Sequence, residues 1–442
     1  MSLRIATYNL ENLDDEDPAL PLEARLPVLR RALAELAADI LCLQEVNAQE
    51  PPKRPRTLSA LDPPAPPPRQ PSSGRWSNGL RAGRSRCRRH RRCAPLAVLP
   101  RRAAVCPPER ARGKTVGKDG GAGTMSLRIA TYNLENLDDE DPALPLEARL
   151  PVLRRALAEL AADILCLQEV NAQEPPKRPR TLSALDRLVA GTPYAGFHRA
   201  ITTSDGGDYP RDIHNLVILS RFPIGAVDQV AHRLVPPLRW QWLGGAEQAP
   251  MRFERPILAV TIDVGRPLHL LDLHLRAPLA VAVPGQKSGP FAWRTIAGWA
   301  EGYHLAAMKR SAQALEARLL VEEIFDREPE AWIAVVGDMN AEEHEAPLAI
   351  LGASEEATGN ADLAGRALVS LAGLVPPERR FTVRHGRGLM LDHLLVSRPL
   401  ARRCLGVDIL NTTLADERDA FAAGYSDPAG FHAPVVARFR LD

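Results

Sequence analysis

LRIATYNLENLDDEDPALPLEARLPVLRRALAELAADILCLQEV, residues 127–170, holds two strand patterns around one helix pattern. Leu127–Leu134 alternates apolar and polar side chains, the period of a strand. Within Leu146–Ala161, Leu146, Leu150, Leu153, Leu157 and Leu160 recur at helical spacing, after Asp141-Pro142 and Pro145. Asp163–Val170 reads as a buried strand. Downstream, Ala184–Ala190 suits a short helix, and strand-like runs follow at 194–201, 214–220, 224–234, 251–264 and 267–274. A Pro- and Gly-bearing loop at 277–290, with Trp293 and Trp299 just beyond, leads to a long helix near 301–325. Strands recur at 331–337, 380–385, 390–397, 404–410 and 434–440. Strands outnumber helices, and helices intervene only between some of them. The expectation is an α+β fold: two mixed β-sheets packed face to face with helices outside.

Upstream, the sequence repeats itself. Residues 1–62 recur letter for letter as residues 125–186, so the 442-residue chain holds far less independent information than its length suggests. Such a repeat marks a recent duplication or an error of assembly or gene model. Between the copies, residues 63–124 carry thirteen Arg and two Lys against Glu109 and Asp119. The net charge of the whole chain is only +2, so the rest is acidic. PPAPPPRQP and RSRCRRHRRC have the composition of a disordered linker. Cys87, His90, Cys93 and Cys106 approach zinc-ligand spacing, but scatter among arginines explains them as well. The arginines themselves could attract nucleic acid or anionic lipid without specificity. The expected organisation is a duplicated, non-functional partial N-terminal half (1–62), an Arg/Pro-rich disordered linker (63–124) and the working domain (125–442).

Composition is that of a globular protein, 45% apolar and 25% charged. No run of about 18 apolar residues suggests a membrane span, and the N-terminus lacks the pattern of a secretion signal. Six cysteines are too few for a disulfide framework at this length. A cytoplasmic monomer with reduced thiols is expected.

Chemistry gathers at strand ends, where a sheet presents side chains to a cleft without burying them. The segments are TYNLEN (Asn133, Glu135), LQEV (Glu169), LDLHLR (His274, Arg276), VVGDMNAE (Asp338, Asn340) and LMLDHLLVS (Asp392). A sixth, SDPAGFHAPV, brings Asp427 and His432 just before the last strand. Each alone is an ordinary turn signal; six in this order are not.

The set resembles the endonuclease/exonuclease/phosphatase superfamily, metal-dependent phosphohydrolases that include DNase I-like nucleases, neutral sphingomyelinases and inositol polyphosphate phosphatases. NLVILSRFP (215–223) and KRSAQAL (309–315) agree with it. The resemblance implies a four-layered α/β sandwich and a divalent cation, Mg²⁺ or Mn²⁺, at Glu169 with Asn133 and Glu135 nearby. It implies that Asp338 orients or deprotonates the attacking water and that Asn340 holds water or phosphate. His432 would hydrogen-bond the phosphate, with His274 assisting from the opposite side. Asp392 would orient a histidine or contribute to the metal site, and Asn133 and Arg276 would meet phosphate. One departure stands out: the family usually has Asp immediately before the final His, and here Phe431 occupies that place. Asp427 could restore the contact if its loop folds back. The expected activity is phosphate-ester hydrolysis, a phosphodiesterase or nuclease first, with a lipid or inositol phosphate hydrolase as the alternative. The substrate is accordingly nucleic acid, phospholipid or inositol phosphate. A non-catalytic binding or scaffold protein that keeps the fold is the reading from another class; chemically competent residues at every position argue against it.

Overall fold

The computed structural model describes residues 3–13, 21–46, 126–139, 144–174, 179–205, 207, 209–289 and 292–442. The stretch read as a linker, 63–124, lies outside the described residues. The chain divides into two units, Met1–Arg112 and Gly113–Asp442. In the first, β1 (Ile5–Leu13), α1 (Leu22–Leu36) and β2 (Ile40–Val46) form a parallel pair with its crossover helix, in register from Ile5↔Ile40 to Asn9↔Gln44. The identical sequence in the second unit makes the same motif: β3 (Ser126–Leu137), α2 (Leu146–Leu160) and β4 (Ile164–Val170). What differs is burial. Leu146, Leu153, Leu157 and Leu160 of α2 are buried, whereas no residue of α1 is.

The second unit builds two larger sheets. One six-stranded sheet runs β17 (Cys404–Ile409), β18 (Val435–Arg440), β3, β4, β6 (Asn215–Ser220), β5 (His198–Ile201). The other runs β13 (Leu368–Ser370), β16 (Asp392–Ser397), β12 (Trp332–Asp338), β11 (Pro267–His274), β10 (Ile257–Asp263), β7 (Ile224–Val230). Each sheet holds one parallel pair, β3–β4 or β11–β12, among antiparallel neighbours. Each pair is joined by a helical crossover, α2 for the first and α4 (Ile296–Arg327) for the second, as parallel strands require.

Alternate side chains of each strand face opposite ways, and the core divides accordingly. Ile129, Ile164 and Ile218 of one sheet meet Leu258, Val336 and Leu394 of the other between the layers. Outer faces pack on α2 and α3 (Ser183–Val189) on one side. On the other they pack on α4 and α5 (Ala346–Gly352). This is the expected α/β/β/α arrangement. Details differ where proline and turns intervene. The strand expected at 194–201 begins only at His198, because Pro193–Gly196 is a 3-10 turn. The run 251–264 is interrupted before Pro256, which cannot donate to a ladder. Its first residue instead closes a small hairpin of β8 (Leu238–Gln241) and β9 (Gln248–Met251). The strand expected at 380–385 shrinks to β14 (Val383–Arg384), paired with β15 (Gly388–Leu389). α4 starts at Ile296, earlier than its periodicity suggests, because the Thr295 hydroxyl caps the Gly298 N–H at 2.9 Å.

Candidate active site

Both parallel pairs end at the same edge of the sandwich. In the second sheet the register sets His274 beside Asp338 and Asp338 beside Asp392. In the first, Asn133 lies beside Gln168, with Glu169 next along β4. Tight backbone is needed to turn these ends inward. Glu135, Asn136, Glu169, His214 and Asn340 all adopt left-handed φ, between 45° and 58°, a strain of about 1 kcal/mol or more for each residue other than Asn. Gly337 has φ 126°, and a Cβ there would lie 1.9 Å from the Leu273 carbonyl oxygen. The close approach of β11 and β12 therefore depends on that glycine.

The two sheets meet through Asn133. Its Nδ2 donates to Asp338 Oδ2 at 3.0 Å and, at a longer 3.4 Å, to Glu169 Oε1. Its Oδ1 accepts the Glu135 N–H at 2.8 Å. Asp338 also accepts from the Asn340 N–H (2.8 Å) and Asn340 Nδ2 (3.1 Å). His274 Nε2 sits 3.4 Å from Asp338 and 3.5 Å from Glu169. Glu135 accepts a backbone bond from Phe431, joining the β3 end to the loop that carries His432. Arg149 braces the same junction: its buried guanidinium donates to the carbonyls of Glu135 and Pro428, at 3.1 and 3.3 Å. Arg276 follows β11; its backbone N–H is held by Gln313, and its side chain reaches the Leu279 carbonyl.

Asp427 does not take the place of the missing Asp before the final His. His432 Nδ1 meets Asp392 Oδ2 at 2.8 Å, while Asp427 Oδ1 accepts the Ala429 N–H at 2.8 Å and closes its own turn. Asp392 thus makes the contact expected of a residue that orients a histidine, while it also lies with Asp338 and His432 in a group that could hold a metal ion. Asp392 begins β16, which is antiparallel to β12, so its side chain falls at the edge where β12 ends.

Burial and neighbouring charge set the proton affinities. Burial, reinforced by the Asp392 charge, pushes Asp338 up to about 7. Burial, then Arg255 and His214, holds His274 well below the usual histidine range. Burial alone would lower His432 too, but Asp392, helped by Asp338 and Glu135, raises it well above that range. Burial also raises Glu135.

Two further residues belong to this group, and strand-end reasoning missed both. His214 Nδ1 lies 3.9 Å from Glu169 Oε1 and 3.1 Å from Arg255 Nη2. Arg255 also donates to the Leu275 carbonyl at 3.3 Å. They precede β6 and β10, whose antiparallel pairing brings strand starts beside the ends of β4 and β11. Polar residues just before antiparallel strands were the available signal. Trp240 packs beside His304 and donates to Glu301 at 2.8 Å.

Among the described residues, two groups of ligand atoms lie within metal-binding distance of one another: Glu169, His214 and His274, and Asp338, Asp392 and His432. Among the described residues, no helix is long and apolar enough to cross a membrane.

Residues 130–414 match the Endonuclease/Exonuclease/phosphatase family, a span that holds every site residue above except Asp427, Phe431 and His432. No curated protein matches the chain in sequence. Similar solved structures include truncated TDP2 from Caenorhabditis elegans, at 16% identity over 71% of this chain and 97% of that one, with a TM-score of 0.42. An AP endonuclease from Archaeoglobus fulgidus is similar at 16% identity, over 71% and 99%, with a TM-score of 0.43. An endonuclease/exonuclease/phosphatase family protein from Bacteroides thetaiotaomicron is similar at 17% identity, over 72% and 96%, with a TM-score of 0.46. The matched span runs through both parallel pairs and the strand ends they bring together, and the chain belongs to the endonuclease/exonuclease/phosphatase family.

Proposed function

We propose that residues 125–442 form a divalent-metal-dependent hydrolase of phosphate esters, acting first on phosphodiesters as a nuclease does. The observation that carries this is the 3.0 Å bond from Asn133 to Asp338, which makes one site of two sheets' strand ends. Oxygen donors dominate that site. Glu169, Glu135 and the Asn133 amide suit Mg²⁺ or Mn²⁺, hard cations that need few protein carboxylates and retain water. The fit is supported by the donor set itself, since the ligand atoms of Glu169, His214 and His274 lie close enough together to hold one ion. A cation held by Glu169, Asn133 and Glu135 would neutralise charge on the phosphoryl oxygens.

The chain's own residues do the rest. Asp338, gripped by the amides of Asn133 and Asn340, accepts the proton of the attacking water; a carboxylate with an affinity near neutrality suits that task. His432 uses Nδ1 on Asp392 and thereby turns its other ring nitrogen outward, as a donor to the phosphate. His274, kept neutral by burial, lies across from it against Asp338 and Glu169. Arg255 and Arg276 add positive charge on that side, where both act on His214.

The test is a hydrolysis panel with the full chain: bis(4-nitrophenyl) phosphate, plasmid DNA, sphingomyelin and inositol polyphosphates, each with MgCl₂, MnCl₂ or excess chelator. Turnover of at least one ester, only with added cation, is expected. Undiminished turnover in chelator refutes the metal, and no turnover of any ester favours a scaffold that has kept the fold.

A further inference from the structure

Arg149 stands where a core residue is expected. The buried stripe of α2 is Leu146, Arg149, Leu153, Leu157 and Leu160, and Arg149 is only 1% exposed. A buried guanidinium loses its hydration, a cost that an apolar side chain of similar size avoids. Its partners show what is gained. The guanidinium donates to the carbonyls of Leu134, Glu135 and Asn136, the last two at 3.1 and 3.4 Å, and to that of Pro428 at 3.3 Å. The first three carbonyls follow one another near the end of β3, where Glu135 and Asn136 hold left-handed φ of 45° and 52°. In the first copy Arg25 likewise donates to the Leu10 carbonyl, so this half of the arrangement is local. Pro428 lies 279 residues further along the chain and belongs to the loop that carries His432.

Other bonds fix that loop from the same side. Tyr132, also in β3, donates its hydroxyl to the Ala429 carbonyl at 2.9 Å. The Ala429 and Gly430 N–H groups close a turn on Asp427, at 2.8 Å to Oδ1 and 2.9 Å to the carbonyl, and Gly430 takes φ 81°. A Cβ on Gly430 would fall 3.0 Å from Glu135 Oε2, and the next N–H, that of Phe431, is the one Glu135 accepts. His432 follows. Its ring and its backbone are therefore held separately. Asp392, from the opposing sheet, sets the direction of the ring. The end of β3, gathered on Arg149, sets where the backbone beneath that ring stands. A guanidinium carries five N–H donors in a rigid plane, enough to bond all four carbonyls at once, whereas an ammonium carries three.

We propose that Arg149 is a positioning residue for His432: by bonding the end of β3 and the Pro428 carbonyl together, it fixes where His432 stands relative to Glu135. Tyr132 assists through Ala429. Arg149 touches no substrate and acts through the placement of His432. This rests on reading the neighbouring site as one that hydrolyses phosphoesters.

Two measurements on the full chain test this. The first is a double-substitution cycle for kcat on bis(4-nitrophenyl) phosphate with MgCl₂. Arg149→Met, Arg149→Lys and Tyr132→Phe are each placed in the parent and in His432→Ala. In the parent, Arg149→Met should lower kcat by about a hundredfold, the scale of a reacting group misplaced by about 1 Å. Arg149→Lys, which keeps three donors, should recover part of that loss. In His432→Ala each further loss should shrink to about twofold or less, because the group being placed is already gone. The second measurement needs no turnover: nitrogen NMR with ring-labelled histidine, the His432 signal being the one absent from His432→Ala. That signal should broaden or split in Arg149→Lys and Tyr132→Phe. Equal losses in both backgrounds, or a His432 signal unchanged in every variant, overturns the proposal. If Arg149→Met does not fold, the Lys and Phe variants carry both measurements. A chain that hydrolyses no phosphoester but whose His432 signal responds to Arg149→Lys sinks the hydrolase reading and not the positioning role.

Discussion

Replacing Asp392 by Asn separates the two carboxylates that compete for the role of partner to His432. The change keeps shape and removes one buried charge from a 2.8 Å contact. A hydrogen bond between charged groups contributes about 1.5–3 kcal/mol. Its loss is partly offset, because Asp392 also repels Asp338 and raises its proton affinity. The net change in stability should therefore be about 1–2 kcal/mol, a shift of a few degrees in melting temperature. Activity should suffer far more. Without Asp392, burial prevails at His432 and its proton affinity falls. The correctly protonated, correctly turned ring becomes rare, and kcat should drop by roughly two to four orders of magnitude. The sign can be followed in the pH profile: loss of protonated His432 moves to lower pH in the variant. Asp427→Asn is the control. Its side-chain oxygen can still accept the Ala429 N–H, so both kcat and melting temperature should stay near those of the parent. Initial rates on bis(4-nitrophenyl) phosphate with MgCl₂ from pH 5 to 9, with calorimetry on all three proteins, decide the matter. A kcat for Asp392→Asn within about twofold of the parent, or a loss confined to Asp427→Asn, would refute the reasoning.

Three further outcomes are expected. Deleting residues 1–124 should leave activity and melting temperature nearly unchanged, because only the second copy is joined directly to Arg187; the first must close a loop of about 125 residues, at roughly 4 kcal/mol. A folded but inactive truncation would make the first copy the working one. Gly337→Ala should destabilise by about 3 kcal/mol or more and lower kcat as well, since its Cβ would meet the Leu273 carbonyl and push Asp338 away from His274; an unchanged melting temperature contradicts this. Mg²⁺ should raise the melting temperature more at pH 8 than at pH 6. Folded Asp338 holds a proton up to about pH 7 that the unfolded chain has already released, so metal-free stability declines as pH rises from the ordinary carboxylate range through 7. A cation at the neighbouring Glu169 and Asn133 favours the ionised form of Asp338 and so gains most where that proton is already gone. An equal or smaller rise at pH 8, followed by differential scanning fluorimetry, would contradict it.

Most of the proposed site was legible as polar residues at strand termini. Asn133, Glu169, His274, Asp338 and Asn340 lie at or near the ends of strands whose apolar runs are plain, and backbone order places them at one edge. His214 and Arg255 were not legible, because they precede strands. Their position at the edge follows from antiparallel pairing with β4 and β11, which no local pattern states. The partner of His432 was likewise undecided by sequence. Asp427 is five residues away along the chain and Asp392 is forty, yet only Asp392 lies at the end of a strand whose register is fixed against Asp338.

The duplicated segment divides local from tertiary determination within a single molecule. Both copies form strand, helix and strand with the same register, and Glu45 and Glu169 share a left-handed φ of 56° and 58°. In both, Asn9 and Asn133 reach the glutamate of the neighbouring strand. Helical spacing, turn chemistry and nearest-neighbour hydrogen bonds depend on the sequence of the segment alone, so they recur. Burial does not. Leu153 and Leu157 are fully enclosed, while their counterparts in α1 are not buried, and Ile5 is 65% exposed where Ile129 is at 0%. Among the described residues, only the second copy has strands on its flanks, β18 and β6, and a second sheet across its face. Apolar surface leaves water only when another surface meets it, and Asp338 reaches Asn133 only when that surface is the opposing sheet.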